Sequence, residues 1–175
     1  MSRGYRITVP SSVSTSTVVA SDELCIAVSL LPVLAPERLQ ELLKQGLRDD
    51  GWHDEAGTLV VDLGGGLEAS LNDDGRGITV TRTTSRELRA VAHTQQEADR
   101  AVRAQLDKAE HDLQRVATTS LASAEGDVRA RLEGVIQKVY GTALEEKARS
   151  LGQLESMQRT VGADGTVELV LKIRT

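Results

Sequence analysis

Apolar and polar positions change rhythm several times along the chain. Residues 4–9, GYRITV, alternate and carry Tyr, Ile, Thr and Val, which predicts a strand. The following PSSVSTSTVVAS alternates weakly and reads as an edge strand or a loop. Leu24–Leu31 is a strong apolar run ended by Pro32, a second strand. Pro36 suits the first position of a helix, with Glu37 and Glu41 near the positive end of its dipole. Leu39, Leu42, Leu43 and Leu47 then share one helical face. Gly51 supplies a left-handed stop, and Trp52 reads as a ring closing the helix end against a sheet. Period two returns in Thr58–Asp62, Leu67–Leu71 and Ile78–Arg82. Gly64-Gly65-Gly66 and Asn72-Asp73-Asp74-Gly75 join them, so this part reads as an antiparallel meander.

From Glu87 to Ser150 the rhythm becomes helical, with no proline in 64 residues. Leu106, Ala117, Val128 and Val139 lie eleven apart, and so do Val102, Leu113, Ala124 and Val135. Eleven residues in three turns give a nearly straight or slightly right-handed stripe; a strict coiled-coil heptad fits only Val102–Val116. One rod of this length measures about 96 Å, far more than the roughly 20 Å of an ordinary strand. Either it reverses near Thr118-Thr119-Ser120 and Gly126-Asp127, with Asp127 capping the second arm, or it stays one rod and meets another chain. Gln153–Arg159 and Thr166–Arg174 alternate around the turn Gly162–Gly165, a hairpin whose last strand is expected to return to the first sheet.

The expected fold class is therefore α+β: an antiparallel sheet with one short helix, and a long helical arm inserted before a C-terminal β-hairpin. The divisions are 1–86 for the sheet and short helix, 87–150 for the arm, and 151–175 for the hairpin, all one domain with a helical excursion.

Composition narrows the chemistry. Of 175 residues only Tyr5, Trp52 and Tyr140 are aromatic, which argues against stacked nucleic-acid bases and against an aromatic-lined cofactor pocket. Residues 1–86 carry 8 basic and 12 acidic side chains, and residues 87–175 carry 13 and 14, so neither part offers a basic field for phosphate backbones. Cys25 is alone, which excludes an intrachain disulfide and fits a reducing, cytoplasmic setting; its place in the apolar strand reads as a small core residue. His53, His93 and His111 lack metal-ligand spacing and read as surface residues, so neither a metal nor a cofactor is expected. The uncharged Leu24–Pro36 imitates a secretory core but is too short to span a membrane and follows Asp22-Glu23 rather than a basic segment. A secreted chain cleaved near Ala35 is the reading it competes with.

No recognisable nucleophile, phosphate-loop or zinc-protease motif is present, and Asp49-Asp50 and Asp73-Asp74 occupy structural positions at a helix end and a turn. One stretch imitates a site. VVDLGGGLEAS, Val60–Ser70, resembles the phosphate-binding hairpin of the actin, heat-shock ATPase and sugar-kinase superfamily, where glycine amides form an anion nest. Leu67 stands where that pattern has Thr, and those enzymes need two domains, so a plain glycine turn is the competing reading.

Three stretches together carry a second resemblance: SRGYRITVPSSVS, LLPVLAPERLQELLKQGLRDDGW, and GTALEEKARSLGQLESMQR with GTVELVLKIR. They resemble a small accessory domain encoded in bacterial FtsH ternary systems. The resemblance implies an adaptor or effector-coupling component of a conflict (defence) system that works with a AAA+ ATPase. It implies no catalytic residue. The leading expectation is a non-enzymatic, cytoplasmic interaction protein. Its helical stripe Val128, Leu132, Val135 and Val139, with Tyr140 beside it, faces the chain itself or another chain, with no nucleic acid or membrane as partner. The alternative is a nucleotide-binding or sensing protein using the Asp62–Gly66 turn.

Overall fold

The computed structural model describes residues 11–162 and 167–174. The strand expected at residues 4–9 and most of the last turn lie outside them. In chain order come β1 (Ser12–Ala27), α1 (Pro36–Asp49), β2 (His53–Glu55), β3 (Thr58–Gly64), β4 (Leu67–Leu71), β5 (Gly77–Ala92), α2 (Gln95–Leu151), β6 (Gln153–Val161) and β7 (Val167–Arg174). The first five strands form one antiparallel sheet in the order β1-β5-β4-β3-β2. Strands β6 and β7 pair with each other as a separate two-stranded sheet. The expected return of the last strand to the first sheet is thus not among the pairings of the described residues.

Strands β1 and β5 depart furthest from expectation. Each is 16 residues long, and they pair without a break from Ser12 with Ala92 to Ala27 with Gly77. The Ser/Thr stretch that reads as an edge strand or a loop is an edge strand, half of β1, and the apolar run ends as a strand at Ala27, before Leu31. Alternation explains it: Val18, Ala20 and Ile26 are buried on one face while Val13, Thr15, Thr17 and Val19 stand on the other. Cys25 falls on that outer face and is exposed, so it is not a core residue.

Glu87–Ala92 belongs to β5 and not to the helix. Its Glu, Leu, Arg and Ala are good helix formers, but Leu88 and Ala90 are two apart and both buried, the period of a strand. Helix α2 begins only after Thr94, whose hydroxyl accepts from the Glu97 amide while the Glu97 carboxylate accepts from the Thr94 amide, both at 3.3 Å.

Between rod and reversal, the structure has the rod: α2 runs 57 residues without interruption, about 85 Å. The Thr119 and Ser120 hydroxyls donate to the carbonyls of Arg115 and Val116, so these residues stay helical by bonding back one turn. The surface a rod needs comes from the β1–β5 ribbon, about 50 Å at strand rise, which is more than an ordinary strand supplies.

Two hydrophobic clusters result. The first joins Ile26, Trp52, Leu59, Val61, Ile78 and Val80 to α1 and to Leu121–Val139 of α2. The second joins Val18, Ala20, Leu88 and Ala90 of the ribbon to Val102, Ala109 and Leu113. We call the first part the hub and the second the arm. The eleven-residue stripe threads both, since Val102, Leu113, Ala117, Val128, Val135 and Val139 are all buried.

Candidate interaction surface

The hub is built around a close meeting of two helices. Leu39, Leu43 and Leu47 recur at every fourth residue and bury one side of α1. Gly46 lies on the seam with α2: a Cβ there would stand 3.1 Å from Val135 and 3.2 Å from Val139. Glycine thus lets the backbones approach. Gly51, at φ 94°, ends α1 in the left-handed region, and the Trp52 amide donates back to the Leu47 carbonyl at 3.1 Å. The indole is only 6% exposed, so Trp52 closes the helix end as expected.

Charges clamp the same meeting. Arg38 of α1 donates two bonds to the Glu146 carboxylate, at 3.0 and 2.6 Å, and a third to Glu41 at 2.8 Å. The bidentate guanidinium holds Glu146 below the ordinary carboxylate range, and Arg38 is itself held more firmly protonated. At the other end of α1, Arg131 donates to the Asp50 carboxylate and carbonyl, both at 2.5 Å.

The four stripe residues Val128, Leu132, Val135 and Val139 are 7, 7, 1 and 2% exposed, inside the hub. They meet α1, Trp52 and the sheet, so the chain itself covers them. Tyr140 stands apart from the stripe. Its hydroxyl accepts the Leu31 amide at 2.7 Å and lies 3.5 Å from the Ser29 carbonyl. It pins the loop that joins β1 to α1.

That loop is the surface feature sequence reasoning missed. Leu30 and Leu31, read as the end of a strand, instead begin an uncharged segment outside the sheet that runs to Ala35, and Leu31 is 66% exposed. Between it and α1 runs a groove of about 410 Å³ lined by Val28, Leu30, Leu34 and Leu39 together with Ser29, Gln40 and Arg76. The available signal was Pro32 and Pro36, which end strand pairing and start a helix so close together that Val33-Leu34-Ala35 between them must lie in a loop.

The glycine turn has a different occupant from the one a nucleotide site requires. Gly64, Gly65 and Gly66 all have positive φ, and the Gly64 amide is taken at 2.7 Å by the carboxylate of Asp62. Asp62 pairs across the ladder with Glu68, so two carboxylates flank the turn. Gly66 is required there for a steric reason as well: a Cβ would meet the Thr83 carbonyl at 2.8 Å. The geometry is that of a hairpin turn supplied with its own anion. His53, His93 and His111 are exposed, and no cluster of three potential metal ligands occurs among the described residues. No helix among them is long and apolar enough to cross a membrane.

A family model described as FtsH ternary system domain X5 matches residues 1–175. No curated protein and no solved structure matches the chain.

Proposed function

We propose, from the premise that the chain belongs to the FtsH ternary system domain X5 family, that it serves its conflict system as a non-catalytic interaction component. It acts in the cytoplasm and couples a AAA+ ATPase to other components through protein contacts. Membership in a ternary system supports protein partners.

The observation that carries the reading is the uncharged loop segment from Leu30 to Ala35 beside its groove. Exposed Leu31 and the groove's mixed lining, with Val28, Leu30 and Leu34 beside Ser29, Gln40 and Arg76, form a patch of the kind that marks protein contacts. The buried stripe and Tyr140 contribute by holding this patch in place: the stripe seats α1, and the Tyr140 hydroxyl fixes the loop. In this reading they act on the partner only through what they position.

The test uses the full chain and the AAA+ component of the same system, purified separately. Interferometry is expected to show direct association, weakened at least about tenfold by Leu31→Asp, since a charge is then buried against apolar surface. Absence of association, with and without ATP, would overturn the reading. Retained affinity in Leu31→Asp would remove the loop as its surface. For the glycine turn, calorimetry with ATP, ADP and GTP is expected to show no heat, because Asp62 already occupies the Gly64 amide.

A further inference from the structure

The five-stranded sheet has two edges, and they are built differently. Strand β2 is three residues, His53-Asp54-Glu55, all exposed and two of them acidic. Short charged edges resist further pairing. Strand β1 is 16 residues long, keeps unbroken register with β5, and contains no Pro, Lys or Arg. Its other side pairs with no strand among the described residues. Within it, Ser12–Ala20 carries no charge at all, and Asp22 and Glu23 come only after that segment. An uncharged edge of this length, without a bulge, is a template for another strand.

The side chains of the segment have a symmetry of their own. On the outer face Val13, Thr15, Thr17 and Val19 read the same in both directions about Ser16. Val13 and Val19 are 42% and 57% exposed, large apolar side chains left in solvent. On the inner face Ser12, Ser14, Ser16, Val18 and Ala20 are all small or branched. If two copies meet antiparallel with a two-fold axis through Ser16, Val13 of each stands opposite Val19 of the other. Thr15 then stands opposite Thr17. Both are favourable cross-strand pairs, and each occurs twice.

Helix spacing agrees with this arrangement. Helix α2 lies over both ribbon strands, touching Val18 and Ala20 on β1 and Leu88 and Ala90 on β5. Pairing two copies at β1 sets their ribbon centres two strand spacings apart, about 9–10 Å. That is the distance at which helices lie side by side in contact. At that spacing two α2 rods have room to lie side by side.

We infer that Ser12–Ala20 is a homodimer seam, at which a second copy of this chain adds its own β1 antiparallel and joins the two sheets into one of ten strands. The inference does not rest on the adaptor reading, since it holds with or without an ATPase partner. Light scattering on the full chain is expected to give twice the 18.8 kDa chain mass at micromolar concentration. A chain with Val13→Lys and Val19→Lys is expected to be monomeric, its dissociation constant raised at least about 100-fold by lysines facing lysines. A chain with Val13→Glu and Val19→Glu is expected to do the same. Mixed, the two are expected to form a heterodimer. Both positions point away from α2, so circular dichroism of each variant is expected to match the parent.

A second measurement needs no charge. In a Cys25→Ser background, Val13→Cys and Val19→Cys chains are expected to form an intermolecular disulfide only when mixed. A monomeric parent overturns the inference. So does a dimer that survives the lysine pair, or a mixture of cysteine chains that does not cross-link.

Discussion

The two halves of α2 bury different things. From Leu121 to Val139 the helix lies on the sheet beside α1, with Leu, Ile, Val and Trp52 around it. From Ala98 to Leu113 it meets, among the described residues, a two-stranded ribbon, and its own buried contribution there is Ala98, Val102, Ala109 and Leu113. A lone two-stranded ribbon is marginal in water, and burying small side chains stabilises it less than burying large ones. Between the halves lies a polar waist, where Thr118 donates to the Asp22 carboxylate at 2.5 Å and Arg82 stands across the ladder from Asp22. The same helix therefore belongs to two units of unequal stability, joined where the hydroxyl residues bond back along its backbone.

Trp52, the only tryptophan, lies in the hub, so its fluorescence reports the hub alone, whereas circular dichroism reports the whole rod. Leu43→Ala empties a fully buried position against α2 and is expected to cost about 3–5 kcal/mol. Both signals should then shift together to lower urea. Leu113→Ala, in the arm, is expected to cost about 2–3 kcal/mol, because a ribbon can close partly over the gap. It should split the signals, with helicity falling before fluorescence changes. Coincident transitions in Leu113→Ala would show one cooperative unit and end the distinction.

A smaller effect tests the hub seam. Gly46→Val sets branched methyls against Val135 and Val139 and is expected to cost about 1–3 kcal/mol, with fluorescence and dichroism moving together. Gly46→Ala should fall much nearer to neutral. Its contacts at 3.1 and 3.2 Å are tight but local, and the helix gains about 1 kcal/mol from losing glycine. Denaturant midpoints for the pair decide it, and a Gly46→Val protein as stable as the parent would show that α1 shifts freely on α2.

Legibility followed the same division. In the hub, the spacing Leu39, Leu43, Leu47 and the turns at Gly64–Gly66 and Asn72–Gly75 placed α1 and the meander nearly where they are, because local chemistry decides them. The arm was poorly legible because its partners are distant. Ser12–Thr17 becomes a strand only by lying along Glu87–Ala92, and Glu87–Ala92 escapes its helical composition only by lying along Ser12–Thr17. The rod was undecidable for the same reason: it depends on a ribbon length that neither strand announces by itself. The stripe was legible as a face, through its eleven-residue period, but not as to what covers it. The covering helix α1 is held there by Gly46 and by Arg38 to Glu146, contacts far apart in sequence. The apolar loop was hidden because Leu30 and Leu31 continue the uncharged run of the strand before them.

The smallest effects are ionic, one on each unit. In the hub, Glu146 accepts from Arg38; in the arm, Asp99 accepts first from Ser14 of the ribbon and then from Gln95. Both carboxyls are held below their ordinary values of 4.5 and 3.8, by those hydrogen bonds above all. The folded chain thus binds these protons less readily than the unfolded chain. The stability each contributes is complete above its ordinary value and is lost as pH falls through the lowered one. Glu146→Gln and Asp99→Asn should therefore be less stable than the parent at neutral pH and converge with it in acid. Convergence should begin at higher pH for Glu146→Gln, whose ordinary value is the higher. Denaturant midpoints across this range, followed by fluorescence for Glu146→Gln and by dichroism for Asp99→Asn, make the check. A deficit that stays constant into acid would show that shape, and not charge, joins the ribbon and α1 to the rod.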